Sequence, residues 1–358
     1  MSDSTQNQFA YVPLRWLGPL HINSRYVTEA VEIPLATFES PLWPSTARGA
    51  RVCNLAGGIH ATLIDERMTR SIVVEADTTQ VLADVRQALT TRWEELRALV
   101  AASSRFAQLI HCHSELVGSL LFLRLEFLTG DASGHNMTSV AAERILNWIL
   151  ENYPELRYVS ISGNLCTDKK VSAINGILGR GKNVIAEVFI PHAICVKHLR
   201  NTPAAIVSLN IKKNLIGSIL AGSLRSANAH VANILLAFYL ATGQDAANIV
   251  EGSQAIVVAE TRQNAAGDAD LYFSVTLPNL IVGTVGNGKG LPFVLDNLKK
   301  LGCLEERAPG DNARRLSMII AAAVLCGELS LLAAQANRGE LVRSHVLLER
   351  GKRKTKEK

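Results

Sequence analysis

The fold is decided by residues 71–128, which read SIVVEADTTQVLADVRQALTTRWEELRALVAASSRFAQLIHCHSELVGSLLFLRLEFL. Residues 71–76 are rich in β-branched side chains and predict a strand. Residues 106–113 and 120–128 predict two more strands. The stretch therefore predicts three strands, with a longer segment between the first and the second.

Two segments next to these strands have the periodicity of helices. Residues 78–100 carry apolar side chains near every 3.6 positions, with Thr78 or Thr79 as a possible N-cap. Residues 136–151 repeat that pattern, and residues 158–162 predict a last strand. The order β-α-β-β-α-β is that of a ferredoxin-like, split βαβ unit over about residues 71–160.

We predict an α+β fold in which this small domain is inserted into a larger one. The large domain would comprise residues 1–70 and 161–338, the small domain residues 71–160, and residues 339–358 a C-terminal flap and tail. In the large domain we expect strands at residues 184–190, 204–209, 254–261 and 271–277 (the last ended by Pro278), and helices at 215–224, 228–242, 291–301 and 316–336.

The composition predicts a globular protein of a reducing compartment. Of the 358 residues, 48% are hydrophobic and 19% charged, which is too little charge for disorder. The six cysteines form no CxxC pair, and the first nine residues show no secretory signal, so we expect a cytoplasmic protein with free thiols. The longest apolar run, residues 316–327, stops at Glu328 and is too short to span a membrane.

The net charge resides in the C-terminal tail. Residues 350–358 hold six basic groups and one acid, which equals the whole formal excess of +5. Such a tail can bind nucleic acid or an anionic surface. A solvated chain end is the simpler interpretation, and we expect neither a nucleic-acid nor a membrane partner.

Three segments carry polar side chains next to apolar strands or helices. Residues 162–170 turn polar directly after a predicted strand, which is typical of both binding loops and ordinary surface loops. His230 and Asn233 lie in an otherwise apolar helix, where a histidine is usually a satisfied core residue. Asp245 follows that helix and is either a buried acid or a solvated one. None of these features is specific by itself.

Together with six further segments, however, they resemble the hydroxymethylglutaryl-CoA reductases in the family's order. The resemblance covers about residues 12–350 and is closest to the class shared with eukaryotes. The segments that carry it are PLATFE (34–39), MTR (68–70), GDASGHN (130–136), SGNLCTDKK (162–170), NLIGS (214–218), NAHVAN (228–233), GQDAA (243–247), GTVG (283–286) and LVRSH (341–345).

This resemblance implies four catalytic residues: Glu39, Lys169, Asp245 and His345. We expect a buried Lys169 ammonium to stabilise the alkoxide that forms at the thioester carbonyl, because such a charge is held best where water is excluded. His345 would protonate the departing CoA thiolate. Glu39 would supply a proton to the aldehyde, with Asp245 between Lys169 and Glu39.

The resemblance also implies the ligand contacts. The free carboxylate of the hydroxymethylglutaryl group calls for fixed cations, and CoA and NADPH phosphates call for Arg, Lys and helix N-termini. The substrate set is Arg70, Ser162, Asn164, Lys170, Lys213 and Asn233, and the CoA set is Ser45, Arg48 and Arg200. The NADPH set is Ser104, Arg105, Asp131, Ala132, Ser133, Gly134, Asn136, Gly283, Gly286 and Arg350.

The predicted activity is the four-electron reduction of hydroxymethylglutaryl-CoA to mevalonate and CoA with two NADPH, through a hemithioacetal and an aldehyde. The family places its active site between two subunits, so a homodimer or higher homo-oligomer is implied. No metal is expected, because His111 and His113 lack further ligands at a zinc-like spacing. Departures from the family at Ser40–Pro44, Ala47, Ser133 and His135 leave one alternative, a non-catalytic homologue that binds acyl-CoA.

Overall fold

One 17-residue strand connects the two parts of the sheet. The computed structural model describes residues 9–346. Its strands are β1 (Leu14–Asn23), β2 (Ala30–Ala36), β3 (Ile59–Glu75), β4 (Gln108–Val117), β5 (Leu120–Leu128), β6 (Arg157–Ser160), β7 (Gly181–Ile190), β8 (Ile256–Gln263) and β9 (Ala269–Leu280). The first half of β3 pairs with β7, and the second half pairs with β5 and β6.

The strand pairings confirm the predicted α+β class. Through its first half β3 belongs to the order β2-β1-β3-β7-β9-β8, in which β1 and β3 are parallel and the other pairs are antiparallel. Through its second half it belongs to the antiparallel order β6-β3-β5-β4. That order is the one expected of a split βαβ unit, because the first and third strands of the unit pair in its centre.

Helices cover both parts of the sheet. They are α1 (Leu42–Leu55), α2 (Thr79–Thr91), α3 (Trp93–Ala101), α4 (His135–Asn152), α5 (Ala173–Leu178), α6 (His192–Ile194), α7 (Pro203–Leu209), α8 (Ser218–Leu220), α9 (Val231–Ala241), α10 (Ile249–Gly252), α11 (Pro292–Lys300), α12 (Asp311–Ala336) and α13 (Glu340–His345). Two π-helical segments, Cys195–Leu199 and Asn210–Gly217, and a 3₁₀ turn, Ala246–Asn248, complete the set.

Helix α12 is the centre of the larger core. It is 26 residues long and apolar enough to cross a membrane by length and composition, but 94% of its most apolar 18-residue window is buried inside the protein. It packs against α1, α9 and β7, which accounts for its composition without a bilayer. Gly49 of α1 lies directly on the Cys326 backbone of α12, so a Cβ at this position would overlap it.

Two separate groups of buried side chains support the two parts of the sheet. The smaller group lies within residues 72–156 and includes Leu123, Phe127 and Ile145. The larger group draws on the segments before and after those residues. This separation fits the predicted division into domains, whose boundaries stay a prediction.

Two predicted elements of the large domain are wrong. Residues 204–209 form helix α7 and not a strand: Thr202 caps it by accepting a hydrogen bond from the Ala205 N–H, and Pro203 occupies its first turn. Strand β9 does not stop at Pro278 but runs to Leu280. The pairing with β7 shifts register after Leu277, and at this irregularity the proline needs no ladder hydrogen bond.

Two predicted helices differ from the structure in continuity or in helix type, beyond shifts of their ends. The helix expected over residues 78–100 is divided at Arg92 into α2 and α3, next to Thr90 and Thr91, whose hydroxyls bond backbone carbonyls of the preceding turn. Of the two predicted candidates for the N-cap, Thr78 and Thr79, the structure has Thr78. The helix expected over residues 215–224 is instead the π-helical segment Asn210–Gly217 followed by α8.

Candidate active site

Lys169 lies in the loop between β6 and α5, and its ammonium points at Asp245. The Lys169 Nζ is 2.7 Å from Asp245 Oδ2. Asp245 follows α9, caps the 3₁₀ turn and accepts a hydrogen bond from the Ala247 N–H. The structure thus brings together two of the four predicted catalytic residues.

Each partner of this pair favours the charged form of the other. The hydrogen bond with Asp245 raises the pKa of the Lys169 ammonium, against partial desolvation. Partial burial by itself would raise the pKa of the Asp245 carboxyl, but the bonds from Lys169 and from the Ala247 N–H, with the attraction of Lys169, hold that pKa below its usual value. The ammonium is ready to stabilise a negative charge at neutral pH.

The expectation of a buried ammonium is not met within one chain. The Lys169 side chain is 39% exposed and that of Asp245 46%. A cation in this position is worth more to a developing alkoxide when water is excluded. A substrate or another subunit would have to cover this face.

Four predicted substrate residues belong to the same half of the site. Ser162, Asn164 and Lys170 are exposed on the loop that carries Lys169. Arg70 lies on β3 between Thr69, whose hydroxyl donates to the Cys166 carbonyl, and Ser71, whose carbonyl accepts from the Gly163 N–H. The Arg70 Nε is buried without a partner among the described residues, as expected of a donor that waits for a ligand.

The glycine-rich segment after β9 is fixed to the Asp245 loop. Gln244 donates from Nε2 to the Gly283 carbonyl at 3.0 Å and accepts from the Gly283 N–H at 3.0 Å. The Lys289 ammonium donates to the Gly243 carbonyl, and burial lowers the pKa of Lys289 to about 8, against the attraction of Asp245. Neither Gln244 nor Lys289 was singled out in the sequence; Gln244 lies within a segment that resembles the family, and Lys289 lies three residues after another.

The predicted NADPH residues come from three neighbouring loops. Gly283 packs so closely on residues 131–133 that a Cβ there would overlap the Ser133 amide. Helix α4 begins after Gly134, which has φ +96°, and none of the described side chains caps its first amides. Those amides are free to face an anion. Asn136, in the first turn, is exposed.

Not every residue of that predicted set offers its side chain to a ligand. The Asp131 carboxylate accepts from the Gly310 and Ala313 amides and so caps α12. The Ser104 hydroxyl accepts from the Phe106 and Ala107 amides and fixes a turn, which leaves the neighbouring Arg105 exposed. The Asp131 carboxylate therefore has protein partners, while the Arg105 side chain has the exposure that a phosphate contact needs.

Glu39 belongs to a second cluster, near the start of α9. Its Oε2 accepts a hydrogen bond of 2.7 Å from Asn233 Nδ2. His230, which precedes α9, donates from its backbone N–H to Glu328 at 2.7 Å, and its ring Nδ1 lies 2.9 Å from the same carboxylate. Burial lowers the pKa of Lys213, whose charge Glu328 attracts.

The predicted CoA residues surround the end of α12, beside Glu39. Arg48 donates to Ser330, and its Nη1 is 2.5 Å from Glu340 Oε1. Ser45 shares a 3.0 Å hydrogen bond with the Ser330 hydroxyl. Both therefore have protein partners in this state. The carbonyl of the exposed Arg200 accepts from Asn337, which also contacts Glu340. A cavity of about 340 Å³ opens here, and its walls include Glu39, Ser45, Arg48 and Asn233.

The departures from the family next to Glu39 are accommodated by the fold. Pro41 is the N-cap of α1, and Trp43 is 6% exposed. The Trp43 Nε1 donates to the Leu35 carbonyl at 2.9 Å, and Arg15 lies over its ring at 4.4 Å. The bulky side chain fills the core and leaves Glu39 in contact with Asn233.

The two clusters lie at opposite ends of α9. Asn233 is in its first turn and Asp245 follows its last, and an 11-residue helix is about 16 Å long. Within residues 9–346, Glu39 makes no hydrogen bond or ion pair with Lys169 or Asp245. We call the cluster of Lys169 and Asp245 the lysine half-site and that of Glu39 and Asn233 the glutamate half-site.

Two predicted site residues lie outside what the structure describes. His345 is the last residue of α13, and its side chain is outside the described part; Arg350 and the basic tail lie beyond residue 346. For the two histidines weighed as metal ligands, His113 Nε2 is 2.8 Å from Glu115 Oε1. The described residues contain no group of three or more His, Cys, Asp or Glu side chains that could hold a metal ion.

The mixed sheet and the paired lysine and aspartate are what we expect of an α+β oxidoreductase that stabilises a negative charge with an ammonium group. The family model described as Hydroxymethylglutaryl-coenzyme A reductase matches residues 8–350. The chain belongs to the hydroxymethylglutaryl-CoA reductase family, whose members are oxidoreductases.

Relatives from distant organisms share most of the chain. It is 45% identical over 342 residues to the 3-hydroxy-3-methylglutaryl-coenzyme A reductase of Aeropyrum pernix, covering 95% of this chain and 80% of that protein. It is 43% identical to reductase 2 of Dictyostelium discoideum, covering 95% and 64%. The NADPH-bound class II reductase of Streptococcus pneumoniae has the same fold, with a TM-score of 0.73 at 19% identity over 94% of this chain and 88% of that one. The non-catalytic alternative is not favoured.

Proposed function

We propose that this protein reduces 3-hydroxy-3-methylglutaryl-CoA to mevalonate and CoA, with two NADPH consumed in each turnover. The observation that carries the proposal is the Lys169–Asp245 pair, 2.7 Å apart, in a chain that is 45% identical to a named reductase of this specificity. The hemithioacetal and the aldehyde are the expected intermediates of a four-electron reduction of a thioester.

The residues of the lysine half-site suit the first reduction. The carbonyl oxygen of the thioester becomes an alkoxide, and the Lys169 ammonium stabilises this charge. Asp245 keeps the ammonium protonated and directed. Lys170 is in this loop, Arg70 is on the strand β3 to which the loop is hydrogen-bonded, and both can hold the free carboxylate of the substrate.

The remaining steps need protons. His345 is placed by the C-terminal helix α13 and would protonate the CoA thiolate. Glu39, held by Asn233, would protonate the aldehyde oxygen. The flap that carries His345 would close over the substrate, as mobile segments do when they shield a reaction from water.

The residues of the cofactor loops fit NADPH. NADPH supplies hydride when bound. The uncapped amides of α4, the open space at Gly286 and the exposed guanidinium of Arg105 offer the chemistry that a pyrophosphate and a 2′-phosphate require, while Gly283 allows its segment to pack against residues 131–133. Ser133 and Ala132 would contribute backbone rather than side-chain contacts.

A homodimer would complete the site. The two half-sites lie at opposite ends of α9, whereas the chemistry needs Glu39, Lys169 and Asp245 at one substrate. Two subunits arranged around a twofold axis can present the glutamate half-site of one to the lysine half-site of the other. The partner would also cover the exposed Lys169 ammonium.

We also propose a cytoplasmic location. All six cysteines are free, which fits a reducing compartment, and the one helix with membrane-like composition in the described part is buried in the core. The proposed domains are those expected from the sequence, with residues 71–160 as the NADPH-binding unit.

The test is an assay with purified protein. On addition of hydroxymethylglutaryl-CoA, NADPH absorbance should fall, with two NADPH oxidised for each free thiol released. Lys169→Ala should lose about a hundredfold or more in kcat. The matched control is Lys300→Ala, because Lys300 pairs with Glu32 at the same 2.7 Å and is also about half-exposed; it should keep wild-type turnover. Flat NADPH absorbance with the wild type at several pH values would refute the proposal.

A further inference from the structure

The backbone of the catalytic loop is held in an unfavourable conformation. Asn164, Thr167 and Lys169 have φ values of 58°, 44° and 54°, in the left-handed region that non-glycine residues rarely adopt. Such a conformation persists only when the surrounding contacts determine it. For Lys169 those contacts have two effects. They hold its backbone in this conformation, and through the backbone angles they set the direction in which the side chain leaves the loop.

Glu251 provides the contact at Lys169 itself. This residue of α10 is fully buried, and its Oε1 accepts hydrogen bonds from the Lys169 N–H at 3.1 Å, from Arg180 Nη1 at 2.7 Å and from Asn248 Nδ2 at 3.1 Å. Burial raises the pKa of the Glu251 carboxyl, against the attraction of Arg180. Neither Glu251 nor Arg180 belongs to the predicted site.

Arg180 extends the same network to the preceding residue. It is fully buried, with its Nη2 2.9 Å from Asp168 Oδ1 and its Nε donating to the Thr69 hydroxyl at 3.1 Å. The backbone of Lys169 and the side chain of Asp168 are thus held by one buried ion pair.

We propose that Glu251 is a positioning residue for Lys169: its carboxylate fixes the Lys169 amide, so that the ammonium is directed at Asp245. Residues 245–251 then contact Lys169 at two points, the side chain through Asp245 and the backbone through Glu251. Because residues 245–251 carry both contacts, the distance between Asp245 and Glu251 determines where the Lys169 ammonium lies. This inference rests on the proposed catalytic role of Lys169.

Two substitutions separate the effect of the position of the Glu251 carboxylate from the effect of its charge. Glu251→Asp keeps the charge but withdraws the carboxylate by about 1.5 Å, one carbon–carbon bond. Glu251→Gln keeps the reach and an acceptor oxygen but loses the charge. Because a displacement of about 1 Å can cost a hundredfold in rate, we expect Glu251→Asp to lose about tenfold to a hundredfold in kcat with little change in KM, and Glu251→Gln to stay within about threefold.

The pH profile distinguishes positioning from a structural role. The charged groups that act on Lys169 are Asp245, Asp168 and Glu251, with His135 next to Asp168 and Lys289 next to Asp245. If Glu251→Asp turns the ammonium away from Asp245, the pKa of Lys169 falls toward its ordinary value. The alkaline limb of the kcat profile should then move to lower pH, while loss of general stability leaves that limb in place.

Glu126→Asp is the matched control. Glu126 is equally buried, pairs with Arg124 and Arg67, and has no bond to residues 162–170. We expect it to lower the unfolding midpoint but to keep kcat and the alkaline limb. If Glu251→Asp does not fold, the double variant Arg180→Met/Glu251→Met removes both buried charges together, which cores tolerate better than an unpaired charge. It lacks the acceptor for the Lys169 amide and should show the same loss in kcat.

The outcomes are distinct. Wild-type inactivity would refute the proposed function itself. With an active wild type, the positioning role is overturned if Glu251→Asp, or the double variant, keeps wild-type kcat and alkaline limb. It is equally overturned if Glu126→Asp shows the same losses, or if Glu251→Gln loses as much kcat as Glu251→Asp.

Discussion

Mixing a Glu39→Ala subunit with a Lys169→Ala subunit should restore activity that neither variant has by itself. Glu39 contacts Asn233 at the start of α9, and Lys169 contacts Asp245 after its end. The helix between them is about 16 Å long. If each site combines the glutamate half-site of one subunit with the lysine half-site of the other, a mixed dimer contains one site with both residues intact.

The size of the restored activity follows from this arrangement. Random assortment of equal amounts gives about half mixed dimers, and one of the two sites in each mixed dimer is intact. The mixture should therefore show about one quarter of the wild-type activity per subunit. A site built within one chain predicts none, since every chain then carries a defect.

The assay is NADPH oxidation after subunit exchange by co-expression or joint refolding, with two affinity tags to isolate mixed dimers. The matched control is a mixture of Lys169→Ala with Asp245→Ala, two substitutions in the same half-site, 2.7 Å apart in the native protein. Every site then lacks one residue, so no activity should return. Isolated mixed dimers of the first pair without activity would refute the shared site.

Three further predictions concern single residues. Burial lowers the pKa of Lys289 from 10.5 to about 8, so between these pH values the unfolded chain binds more protons and the free energy of unfolding rises with pH. Over that interval the free energy of unfolding of the wild type should rise by up to about 3 kcal/mol more than that of Lys289→Gln, as measured by denaturant unfolding. The same pH dependence in both proteins would contradict this prediction. Arg105→Ala should raise the KM for NADPH about tenfold while leaving that for NADH unchanged; equal effects on both would remove Arg105 from the phosphate site. Glu340→Gln should lower the KM for the CoA thioester severalfold, because Glu340 competes with CoA phosphate for Arg48; an unchanged KM would argue against that competition.

Local patterns were sufficient for much of the fold. The strands on either side of Gly118 and the Thr78 cap were predicted because pairing period and capping act over a few residues. Residues 204–209 were not, because Ile206 and Val207 are as common in strands as in buried helices, and only the cap and the surrounding packing decide between them. Pro278 was taken to end a strand, since the register shift that admits it exists only in the paired sheet.

In the candidate site, too, some residues were predicted from the sequence and others were visible only in the structure. Lys169 and Asp245 were found through segments that resemble a family, and the structure places them in contact. Glu251 and Arg180 were not found, because a buried acid in a short helix has no local signal and its partner lies 71 positions away in the chain. Nothing in the sequence indicated that the Asp131 carboxylate caps a helix that starts 180 residues later in the chain.

The amino-acid sequence by itself determined most elements of the small unit, the α+β class and the segments that resemble the family, because periodicity, caps and polar loops are encoded over a few neighbouring residues. The tertiary structure decided which distant groups meet: the Lys169 amide with Glu251, the ammonium with Asp245, and Glu39 with Asn233 at the far end of α9. The physical reason is that hydrogen bonds and ion pairs depend on distances of about 3 Å, which only the packing of the whole chain sets.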